Sequence, residues 1–518
     1  MDRRGKARSR PASRAPRTAL RALLAAVLAF GAGCSDRPPR FADRPPVWTV
    51  ADDQPIPLPR RTGVTEQLYY SDAYVRRVVV QGLDPTRLPE ASDINSFDEV
   101  PSSSWTRSLR ASPDPLAGYR RDGPPVLPLQ IRSKEKAAIT GARVAVDARG
   151  LRYELEADLP GRPEMLTASA AITSRLLWAL GYFTPEVWLV QRADGTRFAA
   201  TRWPVGIDLG PTPLLTTRPD DANDVAPHPE RRSLRVLGMV AAWLGLGRLE
   251  PVMLRDQYLG AAGQGHVRHE LVGWSGALGV AALRSVVTEA RDPDRENSNF
   301  FYRLGTFGLS PKPPAPEAQT RWSSLGQLGV WVEPDDYTPS PPFEPTDRLT
   351  SADAFWFAKR LASLPDATLE AALDAGALAS PRARATLGGW LRARRWQVVQ
   401  RGFETVTPLG VVAVGARRGG TQTLVLRDEA IAYAPELGAH TYYEVAFVDL
   451  AGDEWSPPIA VRPNAATVAV PLPPVPWGEG GALVVRIVSW RDGADEPRPV
   501  ELHLRQTGEL VHLVGVRH

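Results

Sequence analysis

Hydrophobic and polar positions along this 518-residue chain change their period more than once, and each change predicts a change of structure. From Val126 to Trp203, short alternating runs at 142–150 (ARVAVDARG), 151–157 (LRYELEA), 187–195 (VWLVQRADG) and 196–203 (TRFAATRW) are joined by glycine or aspartate turns and predict strands. One helix is predicted among them, from about Pro163 to Leu180. Leu166, Ala170, Thr173, Leu177 and Leu180 recur there at helical spacing, and Gly181 supplies the stop.

From about Glu230 to Phe403 the spacing becomes largely helical, with helices expected at Arg231–Leu246, Ser351–Leu364, Asp366–Ala375 and Pro381–Arg401. Thr350 with Asp353 reads as a capping box, and Ser380 precedes a first-turn proline, Pro381. Residues 306–349 hold several prolines and read as an extended excursion across a surface. After Thr407 the period returns to two, in 441–452 (TYYEVAFVDLAG), 466–473 (ATVAVPLP), 482–490 (ALVVRIVSW) and 499–506 (PVELHLRQ), which predicts a β-sandwich over 406–518. The expected class is α+β: a small β-rich lobe with one helix at 126–205, a larger α-rich lobe at 206–405, then the all-β region. Residues 65–125 form an N-terminal extension to these.

The first 33 residues divide as a secretory signal does, into a basic segment from Arg3 to Arg21, an apolar run from Ala22 to Phe30, and small residues. The run is shorter than the roughly 20 apolar residues needed to span a bilayer. Gly31-Ala32-Gly33 then leads to Cys34, a thiol placed for lipid attachment, although Gly31 stands where a branched apolar residue is usual. Cys34 is the only cysteine, so no disulfide and no cysteine-based metal cluster is available within the chain. Ser35, where an aspartate would signal inner-membrane retention, points to an outer-membrane lipoprotein of the cell envelope. Residues 34–64, with RPPRFADRPPVW and QPIPLPRR, are expected to be a flexible tether, with folded structure beginning near Thr65.

Cleavage changes the charge. Removing eight basic residues and Asp2 with the signal leaves 54 basic against 57 acidic residues, a formal charge of −3, so a nucleic-acid partner loses its electrostatic support. The 43% hydrophobic content is that of a globular protein, and the roughly 480 remaining residues suffice for about two to four domains.

Candidate chemistry is sparse. Asp220, Asp221, Asn223, Asp224 and His228, followed by Glu230, Arg231 and Arg232, are the densest polar run, but they lack the glycine-centred loop of a calcium hand. Their place before a predicted helix favours capping and electrostatic roles. Asp93, Asn95, Asp98 and Glu99 read the same way, with a turn at SSSW that buries Trp105. His266 and His269 lie three apart in a predicted strand and so face opposite sides, which argues against joint metal ligation. No metallohydrolase, serine-esterase or phosphate-loop motif occurs. Neither metal nor cofactor is expected. Arg382, Arg384, Arg392, Arg394, Arg395 and Arg401 give one helix a basic character that is expected to be solvated or paired with acids elsewhere. Trp331, Trp356 and Trp477 are assigned to core packing before any sugar surface.

Seven segments resemble a family of bacterial secreted proteins whose central region looks like an atypical protein-kinase-like fold, as in HipA and the phosphatidylinositol kinases. They are 93–105 (DINSFDEVPSSSW), 139–153 (ITGARVAVDARGLRY), 174–186 (SRLLWALGYFTPE), 218–235 (RPDDANDVAPHPERRSLR), 241–244 (AAWL), 267–279 (VRHELVGWSGALG) and 349–361 (LTSADAFWFAKRL). The resemblance implies a two-lobed core. It puts Glu156 where a phosphate-binding lysine belongs, Ala170 at the helix glutamate, Gly273 at the metal-binding aspartate, and Arg248 and Met253 near the base and its metal-binding partner. None of these residues can do those jobs, since phosphoryl transfer needs preorganised cations and metal-binding oxygens, a guanidinium stays protonated, and a thioether is too soft for magnesium. The expectation is a pseudokinase-like, non-catalytic envelope lipoprotein that meets an envelope protein or a glycan. The alternatives are an active envelope enzyme, either an unconventional phosphotransferase or a carbohydrate-active hydrolase, and a structural surface lipoprotein.

Overall fold

A computed structural model describes residues 41, 44–63, 89–109, 113–192, 194–281, 321–335, 337, 343–414, 422–450, 452–474, 477, 481–491 and 497–518. The signal segment and Cys34 lie outside the described residues, as do 64–88 of the expected tether and extension. The chain has a mixed α+β fold with several antiparallel sheets.

The first sheet runs in the order β1 (Gln130–Ile131), β2 (Arg143–Val146), β3 (Arg152–Ala157), β5 (Arg197–Thr201), β4 (Val187–Gln191). Alternation along β3 sets its two faces. Tyr153 and Leu155 join Ala145 and Ala200 in an apolar cluster, while Glu154 and Glu156 point the other way, both buried. Helix α1 (Met165–Ala179) is buried on every side. Asp158 opens it by accepting hydrogen bonds from the Glu164 and Thr167 backbone N–H groups and the Thr167 hydroxyl. Gly181, at φ +93°, closes it. Ala170 and Ala171 pack on Val187 and Ala199 of the sheet, where short side chains allow a close approach.

A second sheet is formed by β6 (Ile207–Pro211), β7 (Leu254–Leu259) and β8 (His266–Leu271); β8 is the strand expected to hold His266 and His269, while β7 lies in the stretch expected to be largely helical. Between β6 and β7 the helix expected over Arg231–Leu246 is two helices, α2 (Arg232–Arg235) and α3 (Leu237–Leu244), separated at Val236. Helices α4 (Ser351–Ala362), α5 (Asp366–Ala375) and α6 (Pro381–Glu404) follow, with the Thr350/Asp353 capping box and the Ser380 cap in place. Leu176 of α1, Trp243 of α3, Phe355 of α4, Leu373 of α5 and Leu391 of α6 share one large core.

The part of the expected tether that is described is not free of the body. Residues 47–62 run extended along it, held by Val50 N–H to Ser102 O, Ile56 N–H to Gly265 O and Thr62 N–H to Leu209 O. Asp52 accepts from the Ser104 backbone and hydroxyl, and Tyr258 donates to Ile56 O. Prolines that suggested a loose linker suit this instead, because a strap satisfied at only a few backbone groups needs few N–H donors.

Beyond Val406 lie β9 (Leu409–Val414), β10 (Thr423–Asp428), α7 (Glu429–Tyr433), β11 (Thr441–Val448), β12 (Ile459–Val461), β13 (Thr467–Pro471), β14 (Ala482–Arg491), β15 (Val500–Thr507) and β16 (Leu510–Arg517). They form antiparallel sheets β13-β10-β9 and β12-β11-β14-β15-β16. Leu424 and Val468 of one and Tyr443, Val485 and Leu502 of the other belong to a single apolar cluster. Among the described residues no helix is long and apolar enough to cross a membrane.

Candidate functional site

A cavity of about 280 Å³ opens beside β3, lined by Ile139, Thr140, Glu156, Leu246, Arg248, Glu250, Val252, Met253, Val272, Gly273 and Ser275 among others. Each wall is placed by a local device. Glu154 accepts from the backbone N–H groups of Ala138 and Ile139 at 2.8 and 2.7 Å, which pins that segment against the sheet. Burial pushes the Glu154 carboxyl up, against these bonds and against Arg152 and Arg255. Two residues along the strand, on the same face, Glu156 accepts from the Ser275 hydroxyl at 2.7 Å. Ser275 sits in the single turn Trp274–Gly276 after β8, which Gly273 enters at φ +79°, and Ser169 of α1 bonds the adjoining Ala277 O at 2.8 Å. An L side chain at 273 would be strained at that φ whatever the space around it. Arg248 is half-exposed and pairs with Glu250 at 2.6 Å, while Met253 Sδ accepts from the Glu250 N–H.

Four of the five positions singled out by the family resemblance, Glu156, Arg248, Met253 and Gly273, thus line one cavity. Ala170 does not; it packs α1 onto the sheet. Glu156 and Arg248 have separate partners, Ser275 and Glu250. A second, wider groove of about 690 Å³ is lined by Arg61, Lys136, Arg152, Arg255, Glu135, Glu154 and Asp208 among others. Arg61 and Arg255 both pair with Asp208, and Arg152 with Glu135.

Asp221, Asp224, His228, Arg231 and Arg232 of the polar run are built into the interior. Asp224 accepts from His228 Nε2 at 2.6 Å, Arg231 at 2.7 Å and the Arg218 backbone at 2.6 Å, and His228 Nδ1 meets Pro213 O. A matching pair lies alongside: Asp256 bonds His269 Nδ1 at 2.7 Å and also holds Arg218 and Thr212. The Trp105 indole stacks on His269 at 3.6 Å, meets His228 edge-on and lies under the Arg231 guanidinium. Burial opposes the charge on Asp224 and on Asp256, but the histidines and arginines outweigh it and hold both carboxyls below the usual range. Asp221 is raised instead, by burial first and by the charges of Asp224 and Asp256. Asp221 caps the Asn223 N–H, Asn223 reaches Gln54 O of the strap, and Asp220 is exposed. Sequence spacing could not reveal Asp256, His269 or Trp105 as members, because each comes from a distant segment. Among the described residues no group of three or more His, Cys, Asp or Glu could hold a metal ion.

The neighbouring acids serve a second buried network. Arg232 bonds Asp98 at 2.9 Å and Asp353 at 2.8 Å, and Arg235 reaches Asp353 at 3.4 Å. Asp93 caps α2 through the Arg232 N–H, Asn95 closes its own turn through the Phe97 and Glu99 N–H groups, and Glu99 pairs with Lys359. His266 is partly exposed and His269 buried, as opposite faces of β8 require. On α6, Arg384 and Arg392 pair with Glu370, Arg395 with Asp366 and Arg401 with Asp335, while buried Arg394 donates to the carbonyls of Ala242, Trp243 and Gly329. Arg382 is exposed. Trp356 and Trp477 are buried, but Trp331 is 65% exposed.

No family model matches the chain, and no curated protein matches it. Among solved structures it is similar to the Helicobacter pylori proinflammatory kinase CtkA, with 11% identity and a TM-score of 0.31 over 54% of this chain and 99% of that one.

Proposed function

We propose that this chain is a non-catalytic binding protein of the cell envelope, lipid-anchored at Cys34, with a two-lobed pseudokinase-like core at 126–405 and a terminal β-sandwich at 406–518. The observation that carries the reading is the lining of the cavity beside β3. A site that transfers phosphoryl groups surrounds them with cations and metal-binding oxygens. Here the buried charge on the wall is a carboxylate, Glu156, and the arginine at the cavity is tied to Glu250. Gly273 has no side chain with which to hold a metal. A triphosphate entering this space would find a carboxylate on that wall where phosphoryl transfer places a cation. The core is therefore a scaffold with a pocket, and its surface meets an envelope protein or a glycan.

Calorimetric titration with ATP and magnesium, with a radiolabelled phosphotransfer assay alongside, tests the non-catalytic part. No saturable heat and no transfer are expected; tight binding with transfer overturns it. The anchor is tested by growing cells with a labelled fatty acid: wild type takes up label and Cys34→Ala does not, whereas equal label in both removes the lipoprotein assignment.

A further inference from the structure

The wider groove of about 690 Å³ differs from the cavity beside β3 in its lining. Among the described residues no leucine, isoleucine, valine or phenylalanine lines it, and charged side chains dominate. Its acids are already engaged. Asp208 accepts from Arg61 at 3.1 Å and from Arg255 at 2.6 Å, Glu135 accepts from Arg152, and Glu154 accepts from the Ala138 and Ile139 N–H groups. Its donors are in excess. The exposed Lys136 ammonium has no partner among the described residues. Two buried side chains of the lining, Trp203 at 0% exposed and Arg255 at 4%, each carry an N–H, the indole Nε1 and the guanidinium Nε, that meets no acceptor in the protein. We infer that this groove takes an anionic sugar, a hydroxylated ring bearing one carboxylate, with Lys136 as its counter-charge. The inference rests on the binding-protein reading above and gives its glycan partner a charge and a place.

Charge and hydrogen bonding select the same ligand. Four cations, Arg61, Lys136, Arg152 and Arg255, line the groove against three acids, so the surplus is one positive charge and suits a ligand with a single negative one. Donors left without acceptors are costly where water is scarce, so a lining rich in donors favours a ligand that brings oxygens. A sugar acid brings ring and hydroxyl oxygens besides its carboxylate, and an ammonium holds that carboxylate through a charge-assisted bond stronger than a neutral one. A hydrocarbon ligand would cover these charges without answering them and would find no large aliphatic side chain in return. A cationic sugar would meet Lys136 with like charge. The size agrees, since about 690 Å³ falls within the range of roughly 300–1,000 Å³ that ligand pockets span and leaves room for a sugar ring with its substituents.

The test is calorimetric titration of the full chain with glucuronate, glucose and glucosamine, which share one ring and differ in charge, and with acetate as a bare carboxylate. Glucuronate is expected to saturate a single site at least about tenfold more tightly than glucose or acetate, with glucosamine silent. Lys136→Gln removes the ammonium at an exposed position and is expected to bring glucuronate down to the affinity of glucose while the melting temperature stays at the wild-type value. Gly63→Glu places a carboxylate in the lining at a position where an added Cβ meets nothing within 4 Å, and is expected to abolish glucuronate binding. Equal affinity for glucuronate and glucose, a K136Q or G63E protein that binds glucuronate as wild type does, or no glucuronate binding at all overturns the inference. Acetate as tight as glucuronate reveals a site for bare anions and overturns the sugar. Phosphotransfer in the companion assay overturns the non-catalytic reading itself, whereas silence toward both nucleotide and glucuronate overturns only the ligand class.

Discussion

Asp224 shows how much of this protein is decided by the partners of single residues. Its carboxylate collects His228, Arg231 and the Arg218 N–H, and Asp256 nearby collects His269, Arg218 and Thr212. Buried charges of this kind are tolerated only when paired and fully hydrogen-bonded, and removing one partner is costly. Both carboxyls titrate below the usual range when folded, so each contributes stability that is fully present above about pH 4 and is lost as the pH falls toward and through the folded value. Thermal melts from pH 7 to pH 3 are therefore expected to show a steep loss below about pH 4. Asp224→Asn is expected to cost about 3–5 kcal/mol at neutral pH, by leaving Arg231 buried without its acid, and to show a shallower acid slope. The cluster of acids at 220–224 was visible in the sequence; that Asp224 alone among them would join His228 and Arg231 in a buried network was not, since Trp105, Asp256 and His269 enter from remote positions.

At the scale of elements, capping and periodicity translate directly into structure. The Thr350/Asp353 box, the Ser380 cap and the Gly181 stop depend on neighbours within a few residues, so they could be read in advance and are present. Segments whose state depends on distant partners could not. The strand holding His266 and His269 was expected, but its partner β7 was not, since β7 is drawn into a sheet by Leu254↔Leu271 and Tyr258↔Val267 pairing with that strand. The proline-rich strap at 47–62 has no periodicity of its own and is ordered by groups on the body, above all Asp52 with Ser104. Asp52→Ala is expected to cost about 1–3 kcal/mol, because it leaves the Ser104 donors without an acceptor. Amide exchange should then speed up across 47–62 and at Ser104, while α5 and α6 keep wild-type rates.

At the scale of the whole molecule, the apolar interior divides near residue 407. Phe403, Val406 and Ala430 belong to the core built on α1, α3, α4, α5 and α6, whereas Leu409 begins the cluster shared by the two C-terminal sheets. The two are joined by specific polar links: Val516 N–H to Ser96 O, and the His518 imidazole between Asp98 and Leu409 O. Separate cores give separately adjustable stabilities. Leu502→Ala, at a fully buried site, is expected to destabilise the C-terminal sheets by about 2–5 kcal/mol. Hydrogen exchange should accelerate in the strands β9 to β16 and leave α4 to α6 unchanged; uniform acceleration would mean that the two cores unfold as one.

By itself the sequence determined the strands around 143–201, the helix between them, the helices from Ser351 onward and the alternating runs after Thr407. Those features follow from local spacing, caps and turn residues, whose energies act within a few positions. Only the tertiary structure decided what Glu156 faces. Alternation put it on the same side of β3 as Glu154, but the cavity it lines needed Ile139, Leu246 and Val272 from three separate segments. The same holds for Arg392 and Arg395 of α6, whose partners Glu370 and Asp366 lie on α5. A charge has a sign in the sequence, but its dielectric surroundings and its partner come from the packing of remote elements, and those set whether it binds, stabilises or simply meets water.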